Sequence, residues 1–417
     1  MFSGRRPVIQ MVSYEIKKVF SKPGGKIAVV LLFLTTAIAS AFAITSVSFV
    51  DADGHSSSGF KAAGNLRSKK NAWTGYLSDE VFAEVIRQNA AVEATPEAQS
   101  NDPRETNKAY AMKQGFSDIR DIINSALSSF REYNYYRIDE VSPEVGAEIY
   151  ERRIVNLQNW LASDEVKDRY SDKQKDFFLS SYRQLETPLY YEDADGWNAL
   201  LDYSQTIIML TMLILSFLVC GIFSGEHQQK SDAVFFSSAE GRKKGVRAKL
   251  YAGFLMVSVT YWALMIVYTL TVLFVLGFGG WNTMIQTTLY GWKSLYHITF
   301  FEDYLLTVFG GYIGTMFMLT AEMLLTVITK SAVLAVSLPF ALLFIPSFVG
   351  NISALSGLIG LFPDQLLQIG VAVRLFNAYE IGRGVIGAVP ILFSVYTVLL
   401  ILMIPVIYAL YRKTEVV

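Results

Sequence analysis

Residues 27–50, IAVVLLFLTTAIASAFAITSVSFV, run for 24 positions without one charged side chain. A bilayer core about 30 Å thick needs about 20 such residues in a helix. Five more stretches come close to or exceed that length: Tyr203–Phe223, Leu250–Gly279, Tyr304–Thr329, Ser331–Val349 and Val389–Leu410. Lipid offers no hydrogen bonds, so a spanning segment must satisfy its backbone internally, which a helix does. The pattern therefore predicts an all-α polytopic membrane protein with six transmembrane helices. The order is one span, then a long polar segment, then five spans.

The chain has 417 residues and a formal net charge of −1, a balance that conceals an asymmetry. Residues 51–202 hold 27 of the acidic and 18 of the basic side chains, and the remainder holds 10 and 18. Cytoplasmic flanks of membrane helices are enriched in Lys and Arg. Before the first span stand Arg5, Arg6, Lys17, Lys18, Lys22 and Lys26. Between the second and third stand Lys230, Arg242, Lys243, Lys244, Arg247 and Lys249, with Lys330, Arg412 and Lys413 later on the same side. The short connections of the other side carry only Lys293, Arg374 and Arg383. This bias predicts that both termini are cytoplasmic and that residues 51–202 form an external domain. Nothing in the charge balance points to nucleic acid. Small-residue runs at Ala39–Ala43 resemble a leader cleavage site, but the length of the run favours a span.

The single cysteine, Cys220, excludes an intrachain disulfide. His55, His227 and His297 are scattered, so no His/Cys metal spacing exists and only a carboxylate site stays open. Gly25-Lys26 lacks the G-x-x-x-x-G-K-[ST] pattern that cradles a nucleotide phosphate. No paired-carboxylate or nucleophile motif stands out, so no catalytic residues are assigned.

Residues 1–26 contain Val8, Met11, Val12, Ile16, Val19 and Phe20 at helical spacing, which predicts an amphipathic helix on the inner leaflet or against a neighbouring chain. Within 51–202, residues 51–75 read as a loose tether and Pro103 opens a long helix to Tyr133. Ser171–Gln174 reads as a capping box. Tyr133, Tyr135, Tyr136, Trp160, Phe177, Phe178, Tyr182, Tyr190 and Tyr191 are expected to supply a small domain core. The remaining membrane part is 203–412, with a cytoplasmic loop at 224–249, an apolar external segment at 351–388 and a tail at 413–417. In the external segment, Ile352–Phe362 and Gln365–Phe376 are too short to span and predict two re-entrant helices. Glu322 lies inside the fourth span, where a carboxylate costs about 2.5–3.5 kcal/mol on insertion scales. It lines a translocation path or pairs with a cationic substrate, or else it sits close enough to the inner end, eight residues before Lys330, to be solvated or hydrogen-bonded structurally. Glu302 and Asp303 are expected to cap that helix, and Lys293, Arg374 and Glu380 to be interfacial.

Taken together, Tyr14-Glu15-Ile16-Lys17-Lys18 before the first of six spans, Phe223-Ser224-Gly225-Glu226 closing the second, the Phe-Phe-Ser-Ser…Gly-Arg…Lys loop from Phe235 to Lys249 and the re-entrant segment before the sixth carry a likeness. The chain resembles the permease subunit of an ABC-2-type exporter over roughly 8–50 and 200–412, with the large domain after the first span as a departure. The resemblance implies that the loop after the second span is a coupling helix. Glu226, Val234, Phe235, Phe236, Gly241 and Arg242 would then lie at or near an ATPase contact. It also implies an ABC ATPase subunit dimer as partner, holding the ATP and Mg that this chain lacks. A second permease, identical or paralogous, would complete the pathway in a bacterial plasma membrane. The expected cargo is a peptide or a lipid-like amphipath, as in antimicrobial-peptide export or immunity. A sodium-efflux permease, or a non-transporting receptor or structural protein with an external ligand-binding domain, are the alternatives.

Overall fold

The computed structural model describes residues 5–228, 241–349 and 356–413. It is a helical protein in which six helices are long and apolar enough to cross a bilayer: Pro23–Ser46, Asp195–Glu226, Lys243–Leu276, Phe300–Thr329, Ala332–Val349 and Ala388–Arg412. The chain is thus a multi-pass membrane protein.

The N-terminal helix, Arg5–Ser21, turns the predicted stripe inward. Val8, Met11, Val12, Ile16, Val19 and Phe20 are half-buried, while Ile9 and Tyr14 point out. This helix packs on the third apolar helix of its own chain. Pro23 opens the next helix, where a ring at the first turn blocks no needed hydrogen bond. Gly25 makes this elbow possible, because a Cβ there would collide with the Val19 carbonyl.

The first apolar helix buries Ala28, Leu32, Thr36, Ala39, Ser40 and Ala43 along one face. Such small residues let backbones approach closely in lipid, where packing drives association. The runs that resemble a cleavage site are therefore a packing surface against the second helix. The fourth helix is central, touching the second, fifth and sixth. It begins in a capping box, with Thr299 Oγ1 accepting from Glu302 N at 3.2 Å and Glu302 Oε2 accepting from Thr299 N at 2.8 Å. It ends at Lys330, whose left-handed φ of 57° turns the chain back into the fifth helix. Glu302 caps as expected. Asp303 does not, being buried with its Oδ1 lacking a partner among the described residues. The fifth and sixth helices leave Val333, Leu334, Phe348, Val398 and Ile401 exposed, as helices facing lipid or another membrane chain do.

Residues 51–75 are not a tether. They form a hairpin, Ser48–Val50 with Ser56–Ser58, and the helix Phe60–Lys70. The long helix expected from Pro103 to Tyr133 is broken into Pro103–Lys113, a tight turn at Gln114–Phe116, and Ser117–Leu127. A Cβ on Gly115 would lie 3.0 Å from the Lys69 carbonyl, so the turn packs closely on the end of the helix Phe60–Lys70. Ser171 and Gln174 form the expected capping box.

The domain does not close on itself. Its aromatic cluster of Phe130, Trp160, Phe178 and Tyr182 is completed by Phe376 from the segment before the sixth helix. A second core takes in Trp292 from the connection between the third and fourth helices. Tyr133, Tyr135, Tyr136 and Tyr190 lie exposed instead of in the core. Over its described residues, 356–388, the external segment is also not two helices; residues 351–355 lie outside the described residues. It consists of short turns at Ser356–Ile359, Asp364–Leu367 and Ile369–Ala372, then a hairpin of Ala378–Ile381 with Gly384–Gly387. It seats on the fourth helix at Gly310 and Gly314, where a Cβ on Gly314 would lie 2.9 Å from Leu366 Cβ.

Buried cations fasten the domain to the bundle. Lys70 Nζ bonds Asp118 Oδ1 at 2.9 Å and Asp195 Oδ1 at 2.6 Å. Arg67 reaches the Leu276 carbonyl at the end of the third helix. Arg153 donates to the carbonyls of Trp292 and Ser294 at 2.8 and 2.9 Å, and burial lowers its affinity for its proton.

Candidate functional site: a charged platform and a buried polar face

At the bundle end away from the domain, four helices meet on one carboxylate. Glu226 closes the continuation of the second helix, Gly221–Gln228. Its Oε1 accepts from Lys249 Nζ at 2.7 Å and from Lys18 Nζ at 3.0 Å. Lys249, in the first turns of the third helix, is fully buried and also donates to Glu15 Oε1 at 3.1 Å and the Ile222 carbonyl at 2.8 Å. Tyr411, from the last turn of the sixth helix, lies 3.4 Å from Glu226 Oε2. Burial opposes the charge on Lys18, but the Glu226 carboxylate more than offsets it and raises the ammonium above its ordinary value.

An ion taken out of water costs several kcal/mol unless paired and hydrogen-bonded. Here two cations and two carboxylates offset one another across three helices. The platform thereby joins the helix ends that flank residues 229–240 to the amphipathic helix.

Of the residues the resemblance singles out, Glu226 is buried in this network, so its side chain holds the platform together instead of forming an open surface. Gly241 and Arg242 begin a π-helical turn, Gly241–Gly245, that leads into the third helix. Such turns are rare and frequent at functional sites. Val234, Phe235 and Phe236 lie outside the described residues. Sequence reading used Lys18 and Lys249 only for orientation and gave Glu15 and Tyr411 no role. The available signal was one acid, Glu226, at the end of a span that is followed by a lysine at the root of the next.

The second feature is Glu322. Its side chain has no solvent exposure, and neither carboxylate oxygen has a hydrogen-bond partner among the described residues. Ser216 of the second helix is the hydroxyl placed to donate to it, and Cys220 lies close by. Asp303 Oδ1, Thr307 Oγ1 and Thr315 Oγ1 on the same helix, and Ser216 Oγ opposite, are likewise buried and unpartnered among the described residues. At 100° per residue, positions 303, 307, 315 and 322 fall on one side of the helix. An unsatisfied buried polar atom costs about 1–3 kcal/mol. These atoms form a row of buried polar groups along one face of the fourth helix.

Close metal-ligand geometry among the described residues is confined to Asp51, Asp53 and His55, with ligand atoms within 4.8 Å on an exposed turn. Asp51 Oδ1 there accepts from the backbone of Asp53 and His55 at 2.9 Å each, so it serves the turn.

No family model, curated protein or solved structure matches this chain. What fold and site together define is a class: a multi-pass helical membrane protein with a large helical insertion after its first apolar helix.

Proposed function

We propose that the chain is the permease of an ATP-driven exporter of the ABC-2 type, working with a separate ATPase dimer and a second permease in a bacterial plasma membrane. The cargo is a peptide or a lipid-like amphipath. ATP and Mg are held by the ATPase. The Lys/Arg bias puts both termini and the platform inside, and the domain outside.

The observation that carries this reading is the platform of Glu15, Lys18, Glu226 and Lys249. A partner pushing on residues 229–240 moves the helices only if the flanking helix ends are rigidly joined to them. The buried ion network supplies that stiffness, and it ties in the amphipathic helix as well. Val234, Phe235 and Phe236 in the loop form an apolar group of the kind that contacts a partner. Phe235→Asp should abolish co-purification of the ATPase and transport-linked ATP hydrolysis while leaving the permease folded. Unchanged assembly and hydrolysis would refute it.

The unpartnered carboxylates of Glu322 and Asp303 favour a second reading, sodium efflux, because such oxygens suit a hard cation.

A further inference from the structure

At the domain end of the bundle, a cavity of about 460 Å³ lies between the domain and the segment before the sixth helix. Its charged lining is entirely cationic: Arg131 and Arg169 from the domain, Lys293 from the connection between the third and fourth helices, and Arg374 from the segment. Its walls include the rings of Phe130, Trp160 and Phe376.

The cations are poorly compensated. Arg131 has Glu165 at 3.5 Å, both well exposed, and Arg374 has Asp202 at 3.8 Å. Arg169 and Lys293 have no ion pair among the described residues. Lys293 donates to the Phe130 carbonyl at 2.6 Å and lies 5.5 Å from the ring centre of that residue. Burial and the neighbouring Arg131 lower its hold on its proton. Four like charges drawn from three separate parts of the chain repel one another, and an anion among them removes that cost.

The position of the cavity narrows the ligand. Ile359 and Gly360 line it from a segment whose Leu366 and Ile369 press on Gly310 and Gly314. Those glycines lie about 15–21 Å down the fourth helix at 1.5 Å per residue. A helix of 30 residues is about 45 Å long, longer than the hydrocarbon core, so its first turns stand in the headgroup region. The cavity is thus set between the domain, which gives Phe130, Arg131, Trp160 and Arg169, and a segment seated on the upper fourth helix, which gives Ile359, Gly360, Arg374 and Leu375, at the level where lipid headgroups lie. We propose that it binds the phosphate head of an acidic membrane lipid, with the arginines and Lys293 on the phosphate and the aromatic wall against the glycerol and upper chain. This site stands whether or not the chain is an exporter.

The test is native mass spectrometry of the full-length protein in detergent, with phosphatidylglycerol or phosphatidylcholine added. One phosphatidylglycerol should be retained in clear preference to phosphatidylcholine. Arg169→Glu, at an exposed position, should weaken retention by about tenfold or more, since charge-assisted bonds to phosphate are the strong ones. Lys293→Gln should weaken it too, whereas Arg183→Glu, on the domain but outside the cavity, should not. Equal retention of the two lipids, or equal effects of Arg169→Glu and Arg183→Glu, would overturn the site. Excess inorganic phosphate should not displace the lipid. If it does, the lipid assignment falls and the cavity is a site for a soluble phosphate.

Discussion

Replacing Glu226 with Gln tests the platform directly. The change keeps shape and removes the one carboxylate shared by Lys18 and Lys249. Lys249 keeps Glu15 and the Ile222 carbonyl, but Lys18 keeps at most a bond to a neutral amide oxygen, loses the carboxylate charge and faces a fully buried ammonium. A hydrogen bond to a charged group contributes about 1.5–3 kcal/mol. At about 1.4 kcal/mol per tenfold, the undocked population of the N-terminal helix should rise about 10- to 100-fold. The reporter is Met11→Cys on the inner face of that helix, in a Cys220→Ser background. Its maleimide labelling rate in nanodiscs should rise by that factor, because labelling follows the undocked fraction when docking is fast. Lys249→Met alone should instead lower overall thermal stability, toward the 3–5 kcal/mol typical of an orphaned buried charge. A less than twofold change in labelling in the Glu226→Gln variant would refute the idea that this network holds the helix in place.

Two further outcomes follow from named groups. Burial, with Asp195 and Asp118 nearby and Lys70 opposing, pushes the Asp193 carboxyl up to about 7. An acid whose folded value is raised stabilises only while protonated, so stability falls as pH rises from about 4 to 7, by about 1.4 kcal/mol per unit, and then levels off. Asp193→Asn should remove that part of the slope in thermal-melt measurements between pH 5 and 7, leaving the part due to Asp364, which burial also raises to about 7; an unchanged slope would refute the assignment. Glu322→Gln should cut transport of a cationic cargo, sodium included, in proteoliposomes, since it removes the carboxylate while keeping the side chain's size. Normal transport by the stable variant would reject a role for the charge.

Some of this was legible in the chain. The spans follow from length and apolarity, because lipid forces each helix to satisfy itself locally. The inward stripe from Val8 to Phe20 and the capping box at Ser171 and Gln174 are likewise local patterns, readable within a few turns of helix. Tyr133, Tyr136 and Tyr190 show where composition misleads: an aromatic residue says only that it can be buried, not that a partner will arrive to bury it.

What the tertiary structure decided was pairing at a distance. Lys18 meets Glu226 across 208 positions, and Glu15 meets Lys249 across 234. Phe376 completes a core built by residues from 130 to 182, and Lys293 and Arg374 join Arg131 and Arg169 around one cavity. No periodicity records such meetings. A charge bias orients helices because the membrane reads it one flank at a time. Which cation finds which carboxylate depends on how six helices pack, and that packing makes Glu226 an internal anchor and leaves Glu322 buried without a bonded partner among the described residues.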